Sequence, residues 1–402
     1  VPTGRPLTFL QSSDWHAGSS LTGGGLALPP EIRAVRREDV DGAAARAVEA
    51  ARSCGAEALI VPGDLWDAEN VSAATIHRIA EAFASFAPRP VFVAPGNHDF
   101  AGAGGFYDAS VLAALGMRPW PPNVVVFRSP EWETVAFPGR DDTTVTGRAF
   151  LSPAVVAERP LAPPPARPLS SHALLLLHGS LESYPGADSA RGTKRTAPFS
   201  RREVLDAGFS WAALGHHHHF HVVENEAGVP RGAYSGSPTG RGLDETGPRV
   251  FLKVTLVPGE APCVETLPAD ARCVRDLTVD VSELEAAALA ERLEAAWATG
   301  GVGPGDFVRL TLTGTQPFGA RPADAARAFA GRARHLAVRD LTAPPAEHSG
   351  PRSAEGRFAA DLWARRDAAV EEGPRRLAEL ALRLGRDALA GRPLVPPAPE
   401  DL

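Results

Sequence analysis

Five short fragments of this chain carry the residue types that hold divalent cations: Asp14-Trp15-His16, Gly63-Asp64, Gly96-Asn97-His98-Asp99, His178 and Gly215-His216-His217-His218. Each follows a short apolar run that reads as a buried strand. Asp14, His16, Asp64, Asn97, His178, His216 and His218 together offer enough oxygen and nitrogen donors for two cations side by side. Two cations about 3.5–4 Å apart lower the pKa of water, clamp a phosphoryl oxygen and neutralise charge that builds in the transition state. Hydrolysis of a phosphate ester is the chemistry these residues point to.

Spacing assigns the donors. Asp14 and His16 lie two apart at a strand end, and alternate residues of an extended segment point the same way. His216 and His218 repeat that spacing, which turns His217 and His219 to the opposite side. Asp64 suits a bridging carboxylate, and Asn97 offers a neutral amide oxygen. A mixture of Asp, Asn and His favours Mn²⁺, Fe or Zn²⁺ over Ca²⁺, which wants oxygen shells; two divalent ions, Mn²⁺ first, are expected. His98 adjoins a ligand and is not needed as one, so it is the expected proton donor to the leaving oxygen. Asp99 is expected to orient it or raise its pKa where the side chains meet. Each fragment alone is weak: Asp-x-His is common, and Gly-Asn-His-Asp also suits a turn. Their order and shared strand-end setting carry the inference. His77, His172, His335 and His348 are expected to cap or face solvent.

The elements that must position these residues alternate in type. Leu7–Gln11, Ala58–Val61, Val91–Ala94, Val124–Phe127, Thr134–Phe137, Ala173–Leu177 and Trp211–Leu214 are short apolar runs, as for strands covered on both faces. Helical stretches are expected from Pro30 to about Arg52 and over Ala73–Phe86. This is α/β layering, and open α/β sheets bind ligands beyond the carboxyl ends of their strands. Gly63 and Gly96 let the backbone turn and approach closely. Pro153–Pro168 reads as a surface loop. Ser183–Ser200, with Arg191, Lys194 and Arg195, lies between two ligand fragments and is expected near the cleft.

A second unit begins near Arg275, with strands over Leu277–Val281, Phe307–Leu312 and Leu336–Leu341. Ser282 and Glu285 read as a capping box opening a helix to about Ala298, and another helix spans Ala323–Arg332. From about Ser353 the chain turns helical. Leu377, Leu380, Ala381, Leu384 and Ala388 form an apolar stripe after Pro374, Gly391 stops it, and Pro393–Leu402 is a Pro-rich tail. The expected domains are residues 1–265, 270–345 and 350–402.

The 402 residues are 44% hydrophobic and carry a net charge of −7, with lysine only at Lys194 and Lys253. That balance argues against a protein gripping DNA through a broad basic face; nucleic-acid contact would be local, metal-assisted or shared with a partner. Arg33, Arg36, Arg37, Arg191–Arg195 and arginines of the second unit are the candidate phosphate contacts. Cys54, Cys263 and Cys273 fit a reducing compartment without a disulfide framework. No apolar run reaches membrane-spanning length, and no secretory signal pattern opens the chain. A soluble cytoplasmic protein is expected.

The motifs resemble the calcineurin-like metallophosphoesterase superfamily, and within it the SbcD-type DNA repair nucleases. Tyr234-Ser235-Gly236-Ser237-Pro238 and Gly242-Leu243-Asp244-Glu245-Thr246-Gly247-Pro248-Arg249 are similar to a segment those nucleases carry after their last ligand pair. The resemblance implies a four-layer sandwich of two mixed sheets flanked by helices, a small α+β capping domain that contacts DNA, and C-terminal helices that dock on an SbcC-like coiled-coil ATPase. It also implies metal binding by the seven donors above, a catalytic His98, a possible homodimer and nucleoid association. Some relatives have a catalytic histidine three residues after the bridging Asp. Here that position is Asp67, so such a histidine is absent. The protein-phosphatase branch carries an Arg-Gly pair and a Glu where this chain has Leu65-Trp66-Asp67 and Asp99. A metal-dependent DNA exonuclease or endonuclease is the leading expectation. A small-molecule phosphodiesterase, for example on cyclic nucleotides, is the alternative, and a non-catalytic DNA-tethering subunit a third; the residues after the site disfavour the second and the intact donor set disfavours the third.

Overall fold

The protein is described from a computed structural model that covers residues 4–22, 25–26, 28–154, 156–185, 196–317, 320–342, 354–389 and 394. Two compact units divide the chain. The first comprises Val1–Leu21, Arg33–Arg241 and Gly247–Ala271; the second comprises Thr22–Ile32, Gly242–Thr246 and Arg272–Leu402.

Up to residue 271 the elements are β1 (Leu7–Gln11), α1 (Pro30–Asp41), α2 (Ala43–Ser53), β2 (Ala58–Val61), α3 (Ala73–Ser85), β3 (Val91–Val93), α4 (Ala109–Ala114), β4 (Val124–Val126), β5 (Glu133–Ala136), β6 (Thr143–Gly147), β7 (His172–His178), α5 (Arg201–Asp206), β8 (Trp211–Gly215), β9 (His221–Glu224), β10 (Pro230–Tyr234), β11 (Val250–Leu256) and β12 (Cys263–Pro268). They form two six-stranded sheets, ordered β12-β11-β1-β2-β3-β4 and β5-β6-β7-β8-β10-β9. Both are mixed. β1 to β4 are parallel, and β11 and β12 are added antiparallel. β6, β7, β8 and β10 are parallel, with β5 and β9 antiparallel at the edges.

The period of two along each strand makes the layers. Ala58 and Ile60 of β2 meet Leu174 and Leu176 of β7 and Trp211 of β8 in the core between the sheets. The intervening Leu59 and Val61 face the other way, onto Ala47, Val48 and Ala51 of α2 and Ile76, Ile79 and Phe83 of α3. Leu175 and Leu177 likewise leave the central layer for Phe199 and Val204 at α5. Helix, sheet, sheet and helix stack as the four expected layers. Buried on both faces, β2 and β7 read as unbroken apolar runs.

Several local expectations change. The single helix from Pro30 to Arg52 is interrupted at Gly42, the poorest helix former there apart from proline. β6 and β9 to β12 were not legible as strands: β6 is mostly threonine and glycine, β10 opens on Pro230, and β12 is largely exposed. The expected capping box at Ser282 and Glu285 is not made. Ser282 Oγ donates to Asp280 Oδ1 at 2.6 Å, and the helix starts at Ala286 without a side-chain cap. A capping box does open α5: Ser200 Oγ accepts the Glu203 N–H at 3.2 Å, and the Glu203 carboxylate accepts the Ser200 N–H at 2.6 Å.

In the second unit β13 (Val274–Asp280), α6 (Ala286–Thr299), β14 (Phe307–Thr313), α7 (Pro322–Arg327) and β15 (His335–Asp340) build a three-stranded parallel sheet. Val279, Leu310 and Leu312 pack there against Leu289, Leu293, Trp297 and Phe329. The expected Ala323–Arg332 helix is α7 followed by a short 3₁₀ turn at Ala330–Arg332. α8 (Ala354–Ala368) and α9 (Glu372–Leu389) follow. The α9 stripe shifts from its expected position: Leu380 is buried, but so are Ala378 and Leu382, whereas Leu377 is 60% exposed. Gly391 and nearly all of Pro393–Leu402 lie outside the described residues. The three cysteines are free, and among the described residues no helix is long and apolar enough to cross a membrane.

Candidate metal centre

The site grows from the carboxyl ends of β1, β2, β3, β7 and β8. A chain leaving a buried strand must turn at once to present a ligand, and here it turns through an unfavourable conformation. Asp14, His16, Asp64 and His216 all have positive φ, at 56°, 49°, 55° and 112°. Such residues carry strain that the surrounding structure must hold, and they concentrate at functional sites. Gly63 and Gly96 explain how the loops come so close. A Cβ on Gly63 would lie 2.7 Å from both Gly96 N and His178 Nδ1. One on Gly96 would overlap the Asp64 carboxylate and the His178 ring.

Asp14, His16 and His218 form one cluster of converging ligand atoms, and Asp14, Asp64 and His178 another. Asp64 stands between them: its Oδ2 is 3.3 Å from His178 Nε2 and 3.7 Å from His16 Nε2. His16 Nε2 and His218 Nε2 face each other at 3.2 Å. Asn97 Oδ1 joins the second cluster, 3.2 Å from His178 Nε2. His216 is adjacent, its ring 5.3 Å from that of His178 and its N–H donating to Asp14 Oδ1 at 2.8 Å. His217 turns to stack on Tyr184 at 3.7 Å. Asp14, His16, Asp64 and His178 are at most 2% exposed. Buried acids and imidazoles packed this closely with their ligand atoms inward fit a pair of cations, because buried charge needs a partner or a metal.

Outer contacts fix which nitrogen His178 and His16 offer. His178 Nδ1 lies 3.0 Å from the Pro62 carbonyl, an acceptor only, so Nδ1 carries the proton and Nε2 the lone pair. His16 Nδ1 meets Asp67 Oδ1 at 2.6 Å, with the same result. Burial, with the nearby Arg241 charge, lowers the His16 pKa to about 4, which keeps its inward nitrogen unprotonated at neutral pH. Burial opposes charge on His178, but the Asp64 carboxylate outweighs it and raises its pKa to about 9, so without a cation Nε2 also holds a proton, which a bound cation would displace.

The two proposed catalytic side chains separate. The His98 side chain is 49% exposed beside the buried cluster, and its Nδ1 sits 3.2 Å from Asp67 Oδ1. That hydrogen bond is the largest influence on His98 and raises its pKa. The expected partner, Asp99, is elsewhere. It is buried and accepts the backbone N–H groups of Asp64, Leu65 and Gly96 at 2.9, 3.1 and 2.7 Å and the Tyr107 hydroxyl at 2.9 Å. Burial and then the Asp64 charge raise its pKa to about 6. Asp99 ties the β2 and β3 loops together, and Asp67 does the orienting assigned to it. Sequence reasoning noted Asp67 only as a missing histidine; its spacing from Asp64 was the available signal.

These features match one family description, Calcineurin-like phosphoesterase, over residues 7–220, just over half of the chain. The chain belongs to that family. No curated protein sequence matches this phosphoesterase. Its fold is similar to a dimetal phosphatase from Danio rerio (14% identity, TM-score 0.40, covering 66% of this chain and 98% of that one). It is also similar to purple acid phosphatase PPD1 from yellow lupin, Lupinus luteus (12%, 0.37, 67% and 52%), and to Vacuolar Protein Sorting 29 from Cryptosporidium parvum (13%, 0.28, 66% and 100%). At these scores the likenesses carry no functional argument.

Arg36, expected to touch phosphate, is fully buried: it pairs with Asp270 at 2.6 Å and donates to the Gly240 carbonyl at 2.8 Å. A buried guanidinium must be paired, so it ties the chain after β10 to the chain after β12 and does not reach substrate. Arg241, which sequence reasoning passed over, places its Nη2 2.9 Å from His218 Nδ1 and so sets a fixed positive charge at the cluster. Arg33 is half-buried, and Arg191, Lys194 and Arg195 lie outside the described residues.

Proposed function

We propose that this phosphoesterase is a DNA nuclease, an exonuclease and endonuclease of the SbcD type that works with two Mn²⁺ ions and an SbcC-like ATPase. The observation that carries a phosphodiester reading is a half-exposed His98, held by Asp67, beside a buried two-cluster donor set. Cations bound there would supply an activated water and stabilise charge on the phosphoryl oxygens. Asp14, His16 and His218 would hold one, and Asp64, Asn97, His178 and His216 the other, with Asp64 shared. His98 uses Nδ1 on Asp67, which leaves Nε2 to protonate the departing oxygen. Asp99 keeps the loops bearing Asp64 and Asn97 in register, and Arg241 draws the anionic substrate in.

DNA as the substrate rests on two supports. The sequence resemblance to SbcD-type nucleases extends through Tyr234–Pro238 and Gly242–Arg249. The second unit supplies none of the donor residues, so a small-ester hydrolase would have no use for it. Docking of an ATPase on α8 and α9, homodimerisation and nucleoid association follow from the same resemblance and belong to this proposal.

The test compares wild type with His98→Ala on duplex DNA, single-stranded DNA and bis(p-nitrophenyl) phosphate, each with Mn²⁺ and with chelator. DNA degradation that needs both Mn²⁺ and His98, and whose binding weakens steeply with added salt, is the expected result. Hydrolysis confined to the small ester would transfer the assignment to a small-molecule phosphodiesterase.

A further inference from the structure

The second unit contains a cavity of about 620 Å³ that the phosphoesterase chemistry leaves unused. It lies among the ends of β14 and β15 and the helices α8 and α9. In a chain with a net charge of −7, its charge is unexpected. Arg339, Arg366, Arg376 and Arg383 line it, and among the described lining residues Glu379 is the one acid. Arg366 meets Asp367 at 2.6 Å, and Arg376 meets Glu372. Arg366 also lies over the Trp363 ring, 4.0 Å from its centroid.

A second observation points to a ligand. Trp363 Nε1 and Arg383 Nη2 are both buried without a hydrogen-bond partner, and both residues line this cavity. Buried polar groups are nearly always satisfied, so each orphan calls for an explanation. An indole N–H and a guanidinium only donate. What completes them has to accept hydrogen bonds, and beside four arginines the fitting acceptor is an anion. Guanidinium groups match phosphate oxygens in a two-pronged geometry, and such charge-assisted bonds are the strong ones. Size narrows the choice, since cavities of roughly 300–1,000 Å³ take ligands larger than a single phosphate ion.

We propose that this cavity is a binding site for a small anion bearing linked phosphate groups, either free pyrophosphate or the diphosphate of a nucleotide. Arg383 Nη2 and Trp363 Nε1 donate to its oxygens, and Arg339 adds charge from the sheet side. The site is separate from the donor cluster of the first unit and requires no metal.

Calorimetric titration of the full chain, stripped of metal with chelator, tests this with pyrophosphate, ADP and inorganic phosphate as probes. Pyrophosphate and ADP are expected to bind, and inorganic phosphate at least tenfold more weakly. Equal affinities for the first two assign recognition to the phosphates; an ADP preference above tenfold assigns the nucleotide as the natural form. Arg383→Gln is expected to weaken both at least tenfold. Thr315→Trp, which fills the cavity from the β14 side, is expected to abolish binding while circular dichroism stays unchanged. No binding of either probe by wild type would overturn the proposal, and so would affinities that neither variant alters.

Discussion

Replacing Asp67 by Asn changes one charge and almost no volume, and it separates the geometry described here from the pairing of His98 with Asp99. One oxygen of Asp67 accepts from both His16, at 2.6 Å, and His98, at 3.2 Å. Burial pushes its pKa up, but the hydrogen bonds from those two histidines win and hold it below the ordinary carboxylate range. It is therefore an anion at working pH. Hydrogen bonds to charged groups contribute about 1.5–3 kcal/mol. Losing the charge-assisted contact to His98 alone should lower kcat by about tenfold to about 150-fold at saturating Mn²⁺, at about 1.36 kcal/mol per decade. Loss of the contact to His16, which lies behind a donor nitrogen, should weaken metal binding by roughly 10–100-fold. Hydrolysis of bis(p-nitrophenyl) phosphate over a Mn²⁺ titration measures both. If Asp67→Asn matches wild type in kcat and in metal dependence while His98→Ala is impaired, the shared-carboxylate reasoning is wrong.

A methyl group at Gly96 would overlap the Asp64 carboxylate and lie 2.7 Å from His178 Cε1. Gly96→Ala should thus lower Mn²⁺ affinity by roughly 10–100-fold with circular dichroism unchanged, as read by calorimetry. Ser200→Ala removes the α5 cap and should cost about 1 kcal/mol in denaturant unfolding. Glu203, bonded to Arg159 at 2.5 Å, has its pKa lowered to about 2, with that bond the largest cause and burial opposing it. Because the folded-state pKa is the lower one, its stabilisation is present above about pH 4.5 and is lost as pH falls toward about 2. Glu203→Gln should flatten the fall of Tm with acid across that window.

The donor residues were legible in the sequence for a physical reason. A strand buried on both faces must be an unbroken apolar run, and the polar residues that end it stand out. β1, β2, β3, β7 and β8 are of this kind, so Asp14, Asp64, Asn97, His178 and His216 were each marked by the strand before them. Strands at an edge leave no such mark, which is why β9 and β12 escaped notice, and β10 was hidden by Pro230 and Gly232, residues that weaken strand patterning. Arg36 shows the opposite failure: an arginine in a polar helix reads as surface, yet it is buried against Asp270, 234 residues further along the chain.

What the chain's residues determined by themselves was the chemistry: the donor types, their order and the glycines that let two loops approach. Which carboxylate serves which imidazole was decided only by folding. Asp99 is next to His98 in sequence, but neighbouring residues leave the backbone in different directions, and Asp99 turned inward to gather three backbone N–H groups. Asp67, arriving from another loop 31 positions earlier, took the place beside His98. Adjacency along a chain fixes composition, whereas hydrogen bonds obey distance and direction, and those exist only once the strands are paired.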